Sequence, residues 1–363
     1  MREIAGVPTS VTAFVGATKL GPVNTPAHCF SFDDYERQFG GLAAASDVSY
    51  AVRQFFENGG SDAIVVRIAK GRRPLKKRLV EGIHALDGED LFNVLCLPGV
   101  SDPVVHADAI AYCRTRRAFF IADVAATILK PDDMLAFIAS ADLPKSESAA
   151  VYYPRLLVAD PLKRGKLRST PPSGTIAGLY ARVDSAQGVW KAPAGAGFTL
   201  AGVSGPAYAL TDAENGRLNR RAINSIRTFP AHGSVAWGAR TLAGDDQQSS
   251  QWKYIAVRRT ALFVEESFYR GLKWAVFEPN AEPLWSQIRL MGETFLHGLF
   301  RQRAFQGTTP REAYFVKCDS DTTTQDDVDR GVANIVIGFA PLRPAEFVVI
   351  RLQQLTAKDD DDP

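Results

Sequence analysis

Cysteine is scarce in this sequence, and its few copies form no pairing motif. The four cysteines, Cys29, Cys96, Cys113 and Cys318, are scattered over 363 residues without a CxxC pair. Such spacing argues against a disulfide framework and against a zinc cage. We expect four buried thiols, because a free cysteine behaves as a small apolar side chain.

Long apolar runs are also missing. No stretch approaches the roughly 18 residues that a membrane span requires. The start of the chain, Met1–Gly6, lacks the charged and then apolar order of a signal peptide. We therefore expect assembly in the cytoplasm and no direct membrane insertion. The formal net charge of +2 gives the whole chain no general attraction to nucleic acid or to an anionic membrane.

The motifs of common enzyme classes are absent too. The sequence contains no GxxxxGK[ST], HExxH or GxSxG. The acidic stretch Asp319–Asp329 fails the spacing of a calcium loop, since Thr324 and Arg330 stand where glycine and glutamate belong. The sequence thus predicts no catalytic, cofactor-binding or metal-binding residue and a protein that is not an enzyme. An α/β enzyme of unknown substrate remains a remote alternative.

Two stretches are strongly basic. Lys70–Arg78 holds six basic residues in nine, and Lys163–Arg168 holds four in six. Neither is interleaved with the aromatic side chains that stack on nucleic-acid bases. We therefore expect mobile, solvated surface loops and no nucleic-acid partner.

The first two thirds of the chain alternate between strand and helix patterns. In Ser46–Glu57 the apolar residues fall at helical spacing and form one stripe, and the buried strand Ala63–Ile68 follows. This alternation predicts an α/β layer with parallel pairing. Further predicted strands are Val11–Val15, Phe92–Leu97, Ala118–Ala122 and Ala149–Tyr153, and further helices are Pro103–Arg116, Pro131–Ala141 and Ser173–Val183.

The pattern changes after about residue 245, from alternating α/β to α+β. Two long helical patterns, Gln251–Arg270 and Asn280–Gln302, precede a predicted strand at Ala313–Cys318. Two β-branched runs end the chain, Ala333–Ala340 and Glu346–Gln353. Such a terminal strand pair either pairs within its own domain or offers an edge to another chain.

A series of short motifs, in one order along the chain, resembles the sheath proteins of contractile tails and contractile injection systems. Each motif is weak alone, and their common order carries the resemblance. The match begins near Ile4, and family members usually carry a further N-terminal arm upstream of the matched strand. The motifs are GVPTSVTAFVG at 6–16, GPVNTP at 21–26, FGG at 39–41, FFENGG at 55–60, VVRI at 65–68, WGART at 237–241, VRRT at 257–260, FEPN at 277–280 and FAPLRPAEF at 339–347.

The resemblance implies a fold and a role. It implies an inner, tube-facing α+β domain from residues 1–22 plus 245–363 and an outer α/β domain from residues 23–244. Copies of such a subunit stack as rings or a helix around an inner tube, and the sheath contracts to drive the tube through a target envelope. The implied partners are further copies, the inner tube protein, and baseplate and cap proteins. A specialised, non-contracting paralogue near the baseplate or cap is the nearest alternative.

The resemblance also suggests which residues make these contacts. Terminal strands exchanged between subunits would join neighbours through backbone hydrogen bonds. The candidate linking residues are Ile335, Ile337, Phe347, Val349 and Arg351. The tube-facing candidates lie on and just after the helix Leu284–Leu299, and they are Arg289, Arg301 and Arg303.

Overall fold

The computed structural model describes residues 3–71, 73–140 and 142–346. Its first strands and helices are β1 (Thr12–Gly16), β2 (Ala27–Cys29), α1 (Phe32–Phe39), α2 (Asp47–Glu57), β3 (Ala63–Arg67), α3 (Leu75–His84), β4 (Val94–Cys96), α4 (Pro103–Thr115), β5 (Phe119–Ala122), α5 (Pro131–Ala139) and β6 (Ala149–Tyr153). The later ones are β7 (Leu156–Asp160), β8 (Lys166–Thr170), α6 (Ser173–Gln187), β9 (Gly205–Pro206), α7 (Asp212–Arg220), β10 (Ile223–Phe229), β11 (Gly233–Ala236), α8 (Ile255–Gly271), α9 (Glu282–Arg301), α10 (Pro310–Ala313), β12 (Tyr314–Lys317), α11 (Gln325–Asp329) and β13 (Val336–Phe339).

Eight strands form one sheet in the order β11-β10-β6-β5-β4-β1-β3-β2. The six inner strands are parallel, and the two edge strands, β2 and β11, are antiparallel to their neighbours. Strand β1 lies inside the sheet, third from the β2 edge, with Thr12 opposite Ala63 of β3 on one side and Val94 of β4 on the other. The predicted α/β alternation is confirmed, because parallel neighbours need helical crossovers between them.

Helices cover both faces of this sheet. Successive side chains of a strand point to opposite faces, so Phe14 packs in the core on one face and Val15 in the core on the other. All residues of β5 and β6 are buried, as expected for strands covered on both sides. The central sheet therefore holds most of the hydrophobic core.

Helix α2 begins where its sequence predicts and packs closely against α6. The Ser46 hydroxyl accepts a hydrogen bond from the Ser49 amide at 3.1 Å and so caps the helix. On α6, a Cβ at Gly174 would lie only 2.3 Å from the carbonyl oxygen of Ala51. Glycine at this position is therefore what lets the two helix backbones approach each other.

The C-terminal part has its own core, and the start of the chain joins it. Helices α8 and α9, the short α10 and the two-stranded antiparallel sheet of β12 and β13 surround buried side chains that include Phe268, Met291 and Leu296. Ile4 is buried in the same cluster, and the Val7 amide donates to the Ser267 hydroxyl at 3.2 Å. The predicted change to α+β architecture is confirmed.

Both basic stretches contain regular structure, so the prediction of loops is wrong for part of each. Helix α3 starts at Leu75 within the first stretch, because its buried Leu79 and Ile83 pack on the sheet and hold the basic face outward. The second stretch leads into β8, which is antiparallel to β7. The acidic Asp319–Asp329 likewise ends in a short helix, α11.

The buried thiols are confirmed. All four cysteines are buried and none forms a disulfide. Among the residues that the structure describes, no helix is long and apolar enough to cross a membrane.

Candidate subunit-linking surfaces

The small C-terminal sheet contains the first predicted linking residues. Strands β12 and β13 pair with Val316 opposite Ile337, and Ile335 lies just before β13. Both isoleucines are half-buried against the C-terminal core. In the part of the chain that the structure describes, each strand has one partner, so the sheet keeps two edges. Backbone groups at such edges can accept a further strand.

The remaining linking candidates lie beyond this sheet. Phe347, Val349 and Arg351 lie outside the described residues, which end at Glu346. Phe315 and Val336 on the sheet itself are exposed by 49% and 44%. These apolar side chains give the sheet a surface on which another chain can pack.

The three tube-facing candidates differ in their surroundings. Arg289 forms an ion pair with Glu282 and donates to the carbonyl oxygen of Cys318, so its charge is compensated within the subunit. Arg301 and Arg303 are exposed, and no ion pair involves either of them among the described residues. Arg289 also lies about 18 Å from Arg301 along the helix axis, at 1.5 Å per residue. The structure therefore groups only Arg301 and Arg303.

A buried arginine and a glutamate at the end of the described chain form a contact that the sequence analysis did not anticipate. The Arg240 side chain is 1% exposed, and its Nε and Nη2 each donate to a carboxylate oxygen of Glu346 at 2.7 Å. Tyr254 donates to the same carboxylate at 3.3 Å. Burial alone would raise the pKa of Glu346, but Arg240 outweighs burial and holds that pKa below its ordinary value.

The rest of the Arg240 environment ties it to the central sheet. Its Nη1 donates to Asp246 at 2.9 Å and to the carbonyl oxygens of Asn219 and Gly244 at 2.9 and 3.1 Å. The Asn224 side chain on β10 accepts from the Arg240 amide and donates to the Arg240 carbonyl. The same Asn224 amide donates to the Val151 carbonyl on β6. A single side chain, that of Asn224, therefore joins Arg240 to two strands of the large sheet.

A second buried ion pair joins the start of the chain, α6 and α8. Arg259 donates two hydrogen bonds to Asp184, at 2.9 and 2.6 Å, and the two side chains are 3% and 4% exposed. Arg259 also donates to the Thr9 carbonyl at 2.9 Å, and the Thr9 hydroxyl donates to Asp184 at 2.6 Å. The Arg259 guanidinium lies 4.6 Å from the centre of the Tyr180 ring. This pair fixes the N-terminal segment against both helices.

The carboxyl edge of the central sheet, where doubly wound folds place ligands, carries a buried carboxylate. Asp123 follows β5 and accepts from the Ser173 amide and hydroxyl at the start of α6, and from the Gly99 amide. Burial raises the pKa of Asp123 to about 6. The Asp123 carboxylate therefore occupies the N-terminus of α6, the position at which a ligand phosphate would bind.

Two family models match the chain. The phage tail sheath protein central domain matches residues 77–242, and the phage tail sheath C-terminal domain matches residues 247–354. The chain belongs to the phage tail sheath protein family. The first match contains β4, β5, β6, β10 and β11 of the large sheet, and the second contains α8, α9 and the small C-terminal sheet. No curated protein sequence matches this sheath chain.

Solved structures agree with the family models. A chain of the anti-feeding prophage (AFP) baseplate is similar with a TM-score of 0.81 and 29% identity, over 98% of this chain and 96% of that one. A chain of the PVC sheath complex, an extracellular contractile injection system in the contracted state, gives the same TM-score and identity, over 98% and 94%. The sheath tail protein from Listeria innocua shares the fold, with a TM-score of 0.64 and 11% identity over 94% and 96%.

These similarities confirm the role that the sequence motifs suggested. The protein is a structural subunit of a contractile, phage tail-like sheath. The pairing of Arg240 with Glu346 was nevertheless not among the sequence-based expectations. A signal was present, since these two residues lie in the WGART and FAPLRPAEF motifs, but nothing in the sequence shows that the two motifs touch.

Proposed function

We propose that this sheath protein polymerises as rings or a helix around an inner tube and contracts to drive the tube through a target envelope. The observation that carries the proposal is the similarity to a chain of a contracted sheath over 98% of this sequence. In this proposal the subunit works by assembly and not by catalysis, and its partners are further copies, the tube protein, and baseplate and cap proteins.

The linking mechanism in this proposal is strand exchange at the small C-terminal sheet. The free edges of β12 and of β13, the strand that contains Ile337 and follows Ile335, would accept strands from neighbours. Phe347, Val349 and Arg351 would belong to a strand donated to another copy. Such a contact is heterologous, so it builds rings or open helices. Exchanged strands can also act as hinges while other contacts rearrange during contraction.

We further propose a two-domain subunit, with an inner domain from residues 1–22 plus 245–363 and an outer domain from residues 23–244. The contacts of Ile4 and Val7 with the C-terminal core support the inner assignment of the first residues. Strand β1, however, pairs on both sides with strands of the outer part. We therefore move the first boundary to the segment between Thr9 and Thr12.

We assign the tube-facing role to Arg301 and Arg303. Arg289 is left out of this role because Glu282 already pairs with it. The test is a double charge reversal, Arg301→Glu/Arg303→Glu, in co-assembly with the inner tube protein. We expect weaker co-assembly and a smaller dependence on salt, because exposed charges act through a screened field. The matched control reverses Lys163 and Arg164 on the exposed turn between β7 and β8. Unchanged co-assembly of the Arg301/Arg303 variant would refute the assignment.

A non-contracting paralogue near the baseplate or cap is the second candidate, supported by the similarity to a chain of the AFP baseplate. Negative-stain microscopy of the protein co-expressed with its genomic neighbours separates the two. Striated tubes in a long and a short form support the contractile subunit. Short rings attached to one end of a particle support the paralogue, and dispersed globular particles contradict both.

A further inference from the structure

The described chain leaves the small C-terminal sheet along a fixed path. After β13, the Ala340 amide donates to the Ala313 carbonyl at 2.8 Å, and the Gln306 amide donates to the Ala340 carbonyl at 2.9 Å. The chain then runs from Pro341 to Glu346 and meets the central part at Arg240. Two points of attachment therefore hold the last described residues, one on each part of the subunit.

Glu346 lies where the described part of the chain meets the predicted terminal strand. It is the first residue of the β-branched run Glu346–Gln353, which the sequence predicts as a strand. A force that a neighbouring subunit applies to this run would reach Glu346 before any other described residue. Where that force goes next depends on what holds the Glu346 side chain.

The contacts of Arg240 direct that force into the central sheet. Its guanidinium donates a hydrogen bond to each carboxylate oxygen of Glu346. This bidentate geometry fixes both the position and the orientation of the carboxylate. The Arg240 backbone is hydrogen-bonded to Asn224, and Asn224 is bonded to Val151 on β6. Strands β6 and β10 lie inside an eight-stranded sheet, whereas β12 and β13 form a sheet of only two strands in the described range.

We propose that the Arg240–Glu346 ion pair anchors the C-terminal linking segment to the central sheet, so that β6 and β10 carry the load during assembly and contraction. This inference rests on the proposed strand exchange. Without the pair, the same load falls on the small C-terminal sheet alone. The anchor also sets the residue at which the linking segment starts, and thereby the register in which it meets a neighbour.

The test compares Glu346→Ala, which removes the anchor, with Glu346→Gln, which keeps one carbonyl oxygen for Arg240. The matched control is Glu265→Ala, which breaks the surface pair of Glu265 with Arg258. Sedimentation of assembled sheaths gives the critical concentration for polymerisation. Thermal unfolding of the isolated subunit and hydrogen exchange of the peptide spanning residues 336–346 report on the fold.

We expect the critical concentration of Glu346→Ala to rise at least tenfold, with a smaller rise for Glu346→Gln and none for Glu265→Ala. Exchange in the 336–346 peptide should become faster. The melting temperature should stay close to that of the unmodified protein, because Asp246 still compensates the charge of Arg240. Normal polymerisation of Glu346→Ala overturns the proposal, as does a loss of polymerisation that tracks a falling melting temperature, which indicates a purely structural role.

The outcome separates this inference from the proposed function. If the unmodified protein forms no sheath with its tube protein, the proposed function fails, and the anchor is judged on the isolated subunit alone. Faster exchange of residues 336–346 in Glu346→Ala then supports the anchor, and unchanged exchange overturns it.

Discussion

The buried pair of Arg259 and Asp184 gives the sharpest stability prediction. Asp184→Asn keeps the size of the side chain but leaves the buried guanidinium without its counter-ion. Breaking a buried ion pair typically costs about 3–5 kcal/mol. We expect about 3 kcal/mol, the lower end, because the Thr9 carbonyl and the Tyr180 ring still face the guanidinium.

Urea and thermal unfolding of the isolated subunit measure this loss. The unfolding entropy of about 2.1 cal/mol/K per residue, summed over 363 residues, corresponds to about 1.3 °C per kcal/mol, so the expected fall in melting temperature is roughly 4 °C. The surface pair of Arg258 and Glu265 supplies the control, since Glu265 is 45% exposed and Glu265→Gln should cost less than about 1 kcal/mol. Hydrogen exchange of residues 3–9 should also accelerate in Asp184→Asn, because the Thr9 hydroxyl loses a charged acceptor.

A double variant tests the physical reason. Arg259→Met/Asp184→Leu removes both charges, so no unpaired ion stays buried, and it should regain most of the lost stability. The reasoning is refuted if Asp184→Asn is no less stable than Glu265→Gln. It is also refuted if the double variant is less stable than Asp184→Asn, because the penalty then comes from packing and not from an uncompensated charge.

Two further predictions concern packing and pH. Gly174→Ala should destabilise the subunit by about 2 kcal/mol or more, since the new Cβ would collide with the backbone of Ala51. The control is Gly216→Ala on α7, where a Cβ meets nothing, and it should stabilise the subunit by up to about 1 kcal/mol. Equal changes in the free energy of unfolding, measured by chemical denaturation, would contradict the close contact between α2 and α6. The raised pKa of Asp123, about 6 against an ordinary value of 3.8, stabilises the fold below pH 3.8, and this contribution is lost as the pH rises through 6. Relative to the unmodified protein, Asp123→Asn should therefore gain up to about 3 kcal/mol between pH 4 and 7, at about 1.4 kcal/mol per pKa unit, and a pH-independent difference in unfolding free energy would exclude this origin.

The local elements were largely predictable. The apolar stripe of Ser46–Glu57 specified α2 and the face it buries, and the continuous apolar runs of β5 and β6 indicated strands covered on both sides. These patterns act over one or two turns or a few strand residues, where side-chain spacing and backbone geometry decide the structure. The first basic stretch runs into a helix despite its charge, because the buried Leu79 and Ile83 hold α3 against the sheet.

The candidate site was predictable only in part. The motif order led to the correct family, and the terminal β-branched runs directed attention to the small C-terminal sheet. The grouping of the arginines was not predictable, because Arg289 reaches Glu282 across two turns of α9 and is also held by the Cys318 carbonyl, which the fold brings to it from 29 positions away.

By itself, the sequence determined the alternation of strands and helices, the buried thiols and the membership of the sheath family. Only the tertiary structure decided that β1 lies between β3 and β4, that Arg259 meets Asp184, and that Arg240 holds Glu346 across 106 positions of the chain. The physical reason is the distance along the chain over which each interaction acts. Side-chain periodicity acts between near neighbours, whereas a buried charge finds its partner only after the sheet has brought distant segments together and removed the water between them.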